Sequence, residues 1–304
     1  MYPGQDRYAS DEHGWTELLP TRQPRPALTG SHRVPWVVVG AGVTGLASAR
    51  RLAELHPDEG ILLLDARKVG QGASARSSGF AVAVSHFPGG FAADQVPAYA
   101  RVNRINQAGL DLLRIQVKEA AIDCQWHEQG LYHTAADRGS IIECGHFLQY
   151  LDAMGIAHTP LDAEALSARL GTTLYQTGVH VHGGALLQPA ALVRGLAETL
   201  PVNVTLYEQS PVLGISKGTA LTLNLPHGEV QTSKLILATN YEAANLGFLR
   251  RRLVGSTLSG SFSRVLSHEE LAGLGDLSEW GGLSLHGGGA TVRLTRDRRL
   301  CLRN

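Results

Sequence analysis

The sequence predicts an α/β fold: a parallel sheet wound with helices, extended by an antiparallel meander, and followed by a further strand-rich region. Two observations carry this. Two short apolar runs, residues 36–39 and 61–65, flank a glycine-rich turn and a helical stretch, in the order strand, turn, helix, strand. From Val202 onward the chain instead alternates apolar and polar residues in short segments separated by turns such as Lys217-Gly218 and His227-Gly228, the period of strands.

Taken in order, residues 1–33 read as an irregular arm, because Pro20, Pro24, Pro26 and Gly30 interrupt any regular element. Trp36, Val37, Val38 and Val39 form a buried strand that ends on a glycine. Residues 44–55 then place Leu46, Ala49, Leu52 and Ala53 on one helical face. His56 to Gly60 stop that helix, and residues 61–65 make a second buried strand. The crossover of such a unit is right-handed. Residues 66–90 hold no long periodic element, and 101–122 are helical in spacing. Alternation in 124–127 and 131–134 around Gln129-Gly130 predicts a hairpin. A helix over 140–154 ends at Gly155, and Asp162 caps a short helix closed by Gly171. Val179 and Val181 mark a strand, and Pro189 opens a helix to about residue 200. Strands follow at 202–206, 212–216, 220–225, 229–233 and 235–238, and again at 291–295 and 300–303. The first of the 202–238 set and the last are read as parallel, with the meander between them.

The composition narrows the function. The 304 residues carry 27 basic and 27 acidic side chains, and apolar residues make up 43%. That supports a sizeable core and argues against a disordered tail. A net charge of zero without a basic block argues against nucleic-acid binding, which needs clustered Lys and Arg. Cys124, Cys144 and Cys301 form no C-x-x-C pair and no zinc spacing, which fits a reducing, cytoplasmic setting. No apolar stretch has the length of a membrane span.

The chemistry-bearing motif is Gly40-Ala41-Gly42-Val43-Thr44-Gly45, a G-x-G-x-x-G between the first strand and the first helix. Gly40 permits the tight turn, Gly42 lets a pyrophosphate approach the backbone, and Gly45 lets helix and strand pack. The helix N-terminus supplies N–H groups and positive potential. Asp65 ends the second strand, where a carboxylate can accept from ribose hydroxyls. The sheet is therefore of the Rossmann-like, dinucleotide-binding kind, and the acid favours FAD or NAD over NADP. A glycine turn that only packs the helix is the plainer alternative. The stretch Gly70-Gln71-Gly72-Ala73-Ser74-Ala75-Arg76-Ser77-Ser78-Gly79 separates the two cofactors. A small-residue loop with one arginine can run along an extended diphosphate and a ribityl chain, whereas an NAD domain goes straight into a helix. A flexible surface loop remains the other reading.

These blocks resemble the D-amino-acid oxidase / glycine oxidase family of FAD-dependent oxidoreductases, and within it the γ-glutamylputrescine oxidase-like branch. Further support comes from Gly183-Gly184-Ala185-Leu186-Leu187-Gln188-Pro189, from Leu235-Ile236-Leu237-Ala238-Thr239-Asn240, and from Trp280-Gly281-Gly282-Leu283. The resemblance implies a discontinuous FAD-binding domain, 34–90 with 185–245, and a mixed or antiparallel substrate domain, 91–184 with 246–304. It implies that Gly40, Gly42, Gly45 and Asp65 hold the AMP half, and that Ser74 and Arg76 serve the pyrophosphate and the ring side. Ala41, Thr44, Ala66, Arg67, Gly72, Ala73 and Ser78 are implied as further cofactor-binding residues. Val212 would meet the adenine, and Ala238 and Thr239 would close over the dinucleotide. The implied reaction oxidises the C–N bond of an amine or N-substituted amino acid, such as a polyamine conjugate, to an imine. No residue can be named as a general base.

The family continues beyond the position matching Asn304, so the resemblance also implies a C-terminally incomplete chain. Read alone, residues 300–303 are a terminal strand with an open edge. Two rival readings follow: a remnant or subunit whose partner chain completes the C-terminal part, and an NAD-dependent dehydrogenase on the same βαβ unit. His180 and His182 share a strand face and read as polar-face residues rather than metal ligands. His86 reads as a loop histidine.

Overall fold

The computed structural model describes residues 12–275 and 278–304. They form two compact units. The first comprises Met1–Ser77, Ala120–Cys124 and Pro189–Thr257; the second comprises Ser78–Glu119, Gln125–Gln188 and Leu258–Asn304.

The first unit is built on a six-stranded sheet. Its spatial order is Val204–Tyr207, Ile61–Leu64, Gly30–Val39, Gly228–Leu237, Leu221–Leu225, Gly214–Lys217. The first four strands are parallel and the last two continue antiparallel. Val37, Val38, Leu63 and Leu64 are fully buried because helices and strands cover both of their faces. The helix Val43–Leu55 buries Leu46, Ala49, Leu52 and Ala53, the four residues its spacing predicts.

Three sequence expectations are corrected here. The first strand begins at Gly30 rather than Trp36, and a helical turn, Gly14–Glu17, interrupts the arm. The polar half of this strand, Gly30 to Val34, pairs only with Gly228 to Thr232. Pro35 is tolerated because the strand Ile61–Leu64 joins only from Trp36 onward, so one side of Pro35 owes no ladder bond. The separate strands expected at 229–233 and 235–238 are one strand, Gly228–Leu237. It closes the meander on one side and runs parallel to Gly30–Val39 on the other.

The second unit holds a seven-stranded sheet ordered Gly260–Phe262, Leu300–Arg303, Thr291–Leu294, Trp280–Ser284, Leu131–Ala135, Thr177–Val181, His158–Asp162. Its one parallel pair is Trp280–Ser284 with Leu131–Ala135. The open edge expected at residues 300–303 is absent: Gly260–Phe262 covers it, and Ser259 and Asn304 exchange backbone bonds of 2.9 and 3.1 Å. The hairpin expected around Gln129-Gly130 does not form either. His127 exchanges both backbone bonds with Leu186, and Leu131–Ala135 pairs with Thr177–Val181 instead.

Helix ends in this unit follow local chemistry. The Asp137 carboxylate accepts from Ser140 N at 3.0 Å at the start of Arg138–Ala153. Asp162 accepts from Ala165 N at 2.9 Å, and Gly171 closes that helix at φ 65°. The longer helix buries Cys144, Phe147 and Leu151 against Val179 and Val181.

His133 lies inside this core, 3% exposed, with its ring 4.9 Å from that of Phe147. Burial drives its pKa down from 6.5 to about 3, with the charges of His86 and His180 adding to the effect. The folded state therefore binds fewer protons than the unfolded chain below pH 6.5. The stability tied to neutral His133 is complete above that pH and is lost progressively as pH falls toward 3. Between pH 7 and pH 5 the expected loss from this residue is about 2 kcal/mol. Urea denaturation at the two pH values measures it. A His133→Gln variant whose stability falls as steeply as the wild type would remove His133 as the cause.

Candidate cofactor site

The first unit brings the predicted turn, acid and loop together. The end of the strand Gly30–Val39 is held on both sides: Gly40 N donates to Leu64 O at 2.7 Å, and Ala238 N donates to Val39 O at 2.8 Å. Gly40 adopts φ +101°, and a Cβ there would lie 2.5 Å from Ala238 O. Close approach of the neighbouring strand and left-handed backbone both demand glycine. A Cβ on Gly45 would lie 1.7 Å from Gly40 O, so the helix can rest on the turn only without one. A Cβ on Gly42 would lie 2.7 Å from the Ser74 hydroxyl oxygen.

Ser74 sits at the mouth of this turn. Its Oγ accepts from Val43 N at 3.1 Å, one of the N–H groups that a helix start leaves without an internal partner. That bond uses an oxygen lone pair of Ser74, so its hydroxyl proton can be donated to an anion. Val43 and Thr44 are exposed at the same helix start, where the dipole favours negative charge. Gly72 and Ala73 lead into the short 3-10 turn that carries Ser74, and Arg76 at its end is exposed, with Nε donating to Gln71 O at 2.9 Å.

Asp65 is half-buried at the end of Ile61–Leu64. Its Oδ2 accepts from Ala41 N at 2.7 Å and its Oδ1 from Arg67 N at 2.8 Å. Burial raises its pKa, while the two N–H bonds pull it back down. Each carboxylate oxygen keeps a lone pair for a further donor. Ala66 and Arg67 are exposed beside it. Val212 is half-buried ahead of Gly214–Lys217 and packs on the meander side of the core.

Thr239 follows the strand Gly228–Leu237. Its Oγ1 is buried and meets no partner among the described residues, next to the site where Gly40 approaches Ala238. A buried hydroxyl without a partner is costly unless a ligand supplies one. This orphan, the Cβ-free cradle and the anion-ready helix start fit a dinucleotide. Ser78 is the one predicted cofactor residue that falls in the second unit.

Some residues that shape the site escape sequence reasoning. Glu208 is fully buried and accepts from Arg22, Val69 N and Arg25 N. Burial pushes its carboxyl up, but the Arg22 guanidinium and the two N–H donors outweigh that and hold it below the usual range. A lone glutamate after an alternating strand gives no sequence signal. In the second unit His180 Nε2 bonds Gln129 O and His182 Nε2 bonds Thr159 Oγ1, both at 2.8 Å. Among the described residues no cluster of three or more His, Cys, Asp or Glu could hold a metal, and no helix is long and apolar enough to cross a membrane.

A parallel sheet with a glycine turn, a carboxylate at the next strand end and an open helix N-terminus defines a dinucleotide-binding α/β protein. The model of the FAD dependent oxidoreductase (DAO) family matches residues 35–304, and the chain belongs to that family. The chain is 27% identical over 248 residues to the probable oxidoreductase OrdL of Rhizobium meliloti (strain 1021), covering 78% of this chain and 56% of that protein. It is 26% identical over 210 residues to the gamma-glutamylputrescine oxidoreductase of Escherichia coli (strain K12), covering 67% and 48%. The chain thus spans about half the length of these curated relatives. The fold matches glycine oxidase from Geobacillus kaustophilus with a TM-score of 0.68 at 18% identity, covering 89% of this chain and 70% of that one. It also matches FAD-bound L-alpha-glycerophosphate oxidase from Mycoplasma pneumoniae with a TM-score of 0.66 at 17% identity, covering 90% and 71%. FAD, not NAD, is the cofactor of this family.

Proposed function

We propose that the chain oxidises the C–N bond of an amine or an N-substituted amino acid, of the polyamine-conjugate kind, to an imine with FAD as the acceptor, in the cytoplasm. The observation that carries the cofactor half is the cradle of Gly40, Gly42 and Gly45 closed by Asp65, Ser74 and the orphaned Thr239 hydroxyl. The relatives that act on gamma-glutamylputrescine and glycine, by their names, support the amine half.

Bound FAD supplies the hydride acceptor. The residues of this chain do the holding. Asp65, with Ala66 and Arg67 beside it, would accept from the ribose of the AMP half. The helix start at Gly42 to Thr44 and the Ser74 hydroxyl would take the pyrophosphate, with Gly72, Ala73 and Arg76 along its path. Val212 would meet the adenine, and Ala238 and Thr239 would close over the dinucleotide at the strand end.

The test is the visible spectrum of the purified chain before and after addition of FAD, read again after gel filtration. Flavin absorbance that stays with the protein is the expected result. A protein that never retains colour would sink the self-sufficient site and favour a chain completed by a partner. Anaerobic bleaching then separates substrates. Bleaching by gamma-glutamylputrescine or an N-substituted amino acid supports C–N oxidation, and bleaching by glycerophosphate alone overturns it.

A further inference from the structure

The arm before the first strand is bound to one loop. Trp15, 3% exposed, donates its Nε1 proton to Ser77 O at 2.8 Å. His13 Nε2 donates to Gly70 O at 2.9 Å. Arg22 Nη2 donates to Val69 O at 2.9 Å, and Arg22 also holds Glu208, which in turn accepts from Val69 N. The three tethers come from side chains 57, 62 and 47 residues away from the backbone they hold. They grip both ends of the segment that runs from Val69 to Ser77, and its middle carries Gly72, Ala73, Ser74 and Arg76. Within the segment, two turn bonds of 3.2 and 3.1 Å close its 3-10 stretch, and Arg76 Nε donates to Gln71 O. A Gly- and Ser-rich segment of this kind has a large conformational entropy to lose before it can serve an anion.

We propose that residues 13–25 are a clasp that presets the Val69–Ser77 loop for the cofactor pyrophosphate, with Trp15 and His13 as positioning residues. The inference rests on the FAD reading of the site. The clasp acts through main-chain carbonyls, so it fixes the path of the loop without touching the ligand. The loop's entropy is lost on folding rather than on binding, which is the general route by which preorganisation raises affinity. The arm makes contacts independent of the loop as well: Leu28 N donates to the Ser210 hydroxyl at 2.9 Å, and Pro20 O accepts from Arg194 at 3.1 Å. These hold the arm in place when a single loop tether is removed.

The experiment uses the full chain and two variants, Trp15→Phe and His13→Ala, singly and combined. Trp15→Phe keeps an aromatic ring in the buried position and removes the indole N–H. His13→Ala removes the Gly70 tether and leaves the buried Arg22–Glu208 pair intact. Two readouts are taken: the FAD dissociation constant from flavin fluorescence, and the rate of tryptic cleavage after Arg76 in the FAD-free chain. Arg76 is exposed, and Trp15 bonds the carbonyl of the next residue. We expect each single variant to weaken FAD binding about fivefold to tenfold, the order of one lost hydrogen bond, and to speed cleavage at Arg76 several-fold. Wild-type affinity in the double variant, with or without faster cleavage, overturns the clasp. A wild-type chain that binds no FAD overturns the cofactor reading instead. Cleavage then decides the clasp alone: acceleration confined to the bond after Arg76 supports it, and an unchanged rate overturns it. A variant cleaved at many sites has lost its fold, and the remaining single variant carries the test.

Discussion

Arg293→Met is expected to lower the unfolding free energy by about 3–5 kcal/mol, the range found when one member of a buried ion pair is removed. Arg293 has no exposed surface, and its Nη2 lies 2.7 Å from Glu279 Oε1, a carboxylate whose side chain is 3% exposed. Its Nη1 donates to Leu187 O at 2.6 Å and to Gly79 O at 3.2 Å. Burial lowers the guanidinium pKa, and Glu279 opposes the shift. Methionine keeps an unbranched apolar side chain there, and among the described residues the Glu279 carboxylate is left with His127 Nδ1 at 3.1 Å and the exposed Arg296 at 3.7 Å. The carbonyls of Gly79 and Leu187 lose a charged donor at the same time. The check is a urea titration in which the midpoint falls and the slope is preserved. A second variant, Arg293→Met with Glu279→Met, removes both charges together. It should recover part of the loss, because apolar replacement of a whole buried pair is often close to neutral. A single variant within 1 kcal/mol of wild type would show that the Glu279 carboxylate carries no burial cost once Arg293 is gone.

Gly45→Val should abolish retention of FAD, with affinity falling by more than about a hundredfold. A fall of that size corresponds to roughly 3 kcal/mol. The added Cβ alone would sit 1.7 Å from Gly40 O, and the Ala238 Cβ lies 3.4 Å away on the other side. Neither neighbour is a flexible side-chain tip: one is backbone and the other is attached directly to it. The helix must lift, and lifting it pulls Ala41 N away from Asp65 and Val43 N away from Ser74. Gly60→Ala in the same βαβ unit is the control, since no atom lies within 4 Å of a Cβ there. Titration with FAD, alongside circular dichroism of both variants, measures the outcome. Retained affinity in Gly45→Val would remove the glycine turn from the cofactor site.

The parts of this molecule that were legible in the sequence are those set by local chemistry. Gly40, Gly42 and Gly45 announce a turn because nothing else fits there. Asp162 and Gly171 announce both ends of one helix. The apolar runs at Val37 to Val39 and Ile61 to Leu64 announce strands buried on both faces. The remainder depends on partners distant in the chain. The polar start of the strand Gly30–Val39 is a strand only because Gly228–Leu237 lies beside it, and Pro35 argues locally against it. Residues 300–303 look like an open edge until Gly260–Phe262 is seen to cover them. Glu208, Glu279 and Arg293 carry charge and so read as surface residues, yet all three are buried. Their burial depends on Arg22, Arg25 and main-chain carbonyls that no spacing rule connects to them. The orphaned Thr239 hydroxyl gives no signal, because threonine at a strand end is ordinary.

The long central strand also constrains the order in which the molecule can be made. Gly30 pairs with Gly228, and the register holds through Val39 and Leu237. The separation along the chain is 198 residues, from 228 minus 30. During synthesis the glycine turn therefore leaves the ribosome with one of its two flanking strands missing. At typical elongation rates it waits about 10–40 s for its partner. Loop closure over that distance is slow and raises the contact order of the whole sheet. In this interval Val37 to Val39 present an unpaired apolar edge, a template for aggregation. Recovery of soluble protein should accordingly be more sensitive to translation speed and chaperone supply than the stability of the finished fold would suggest.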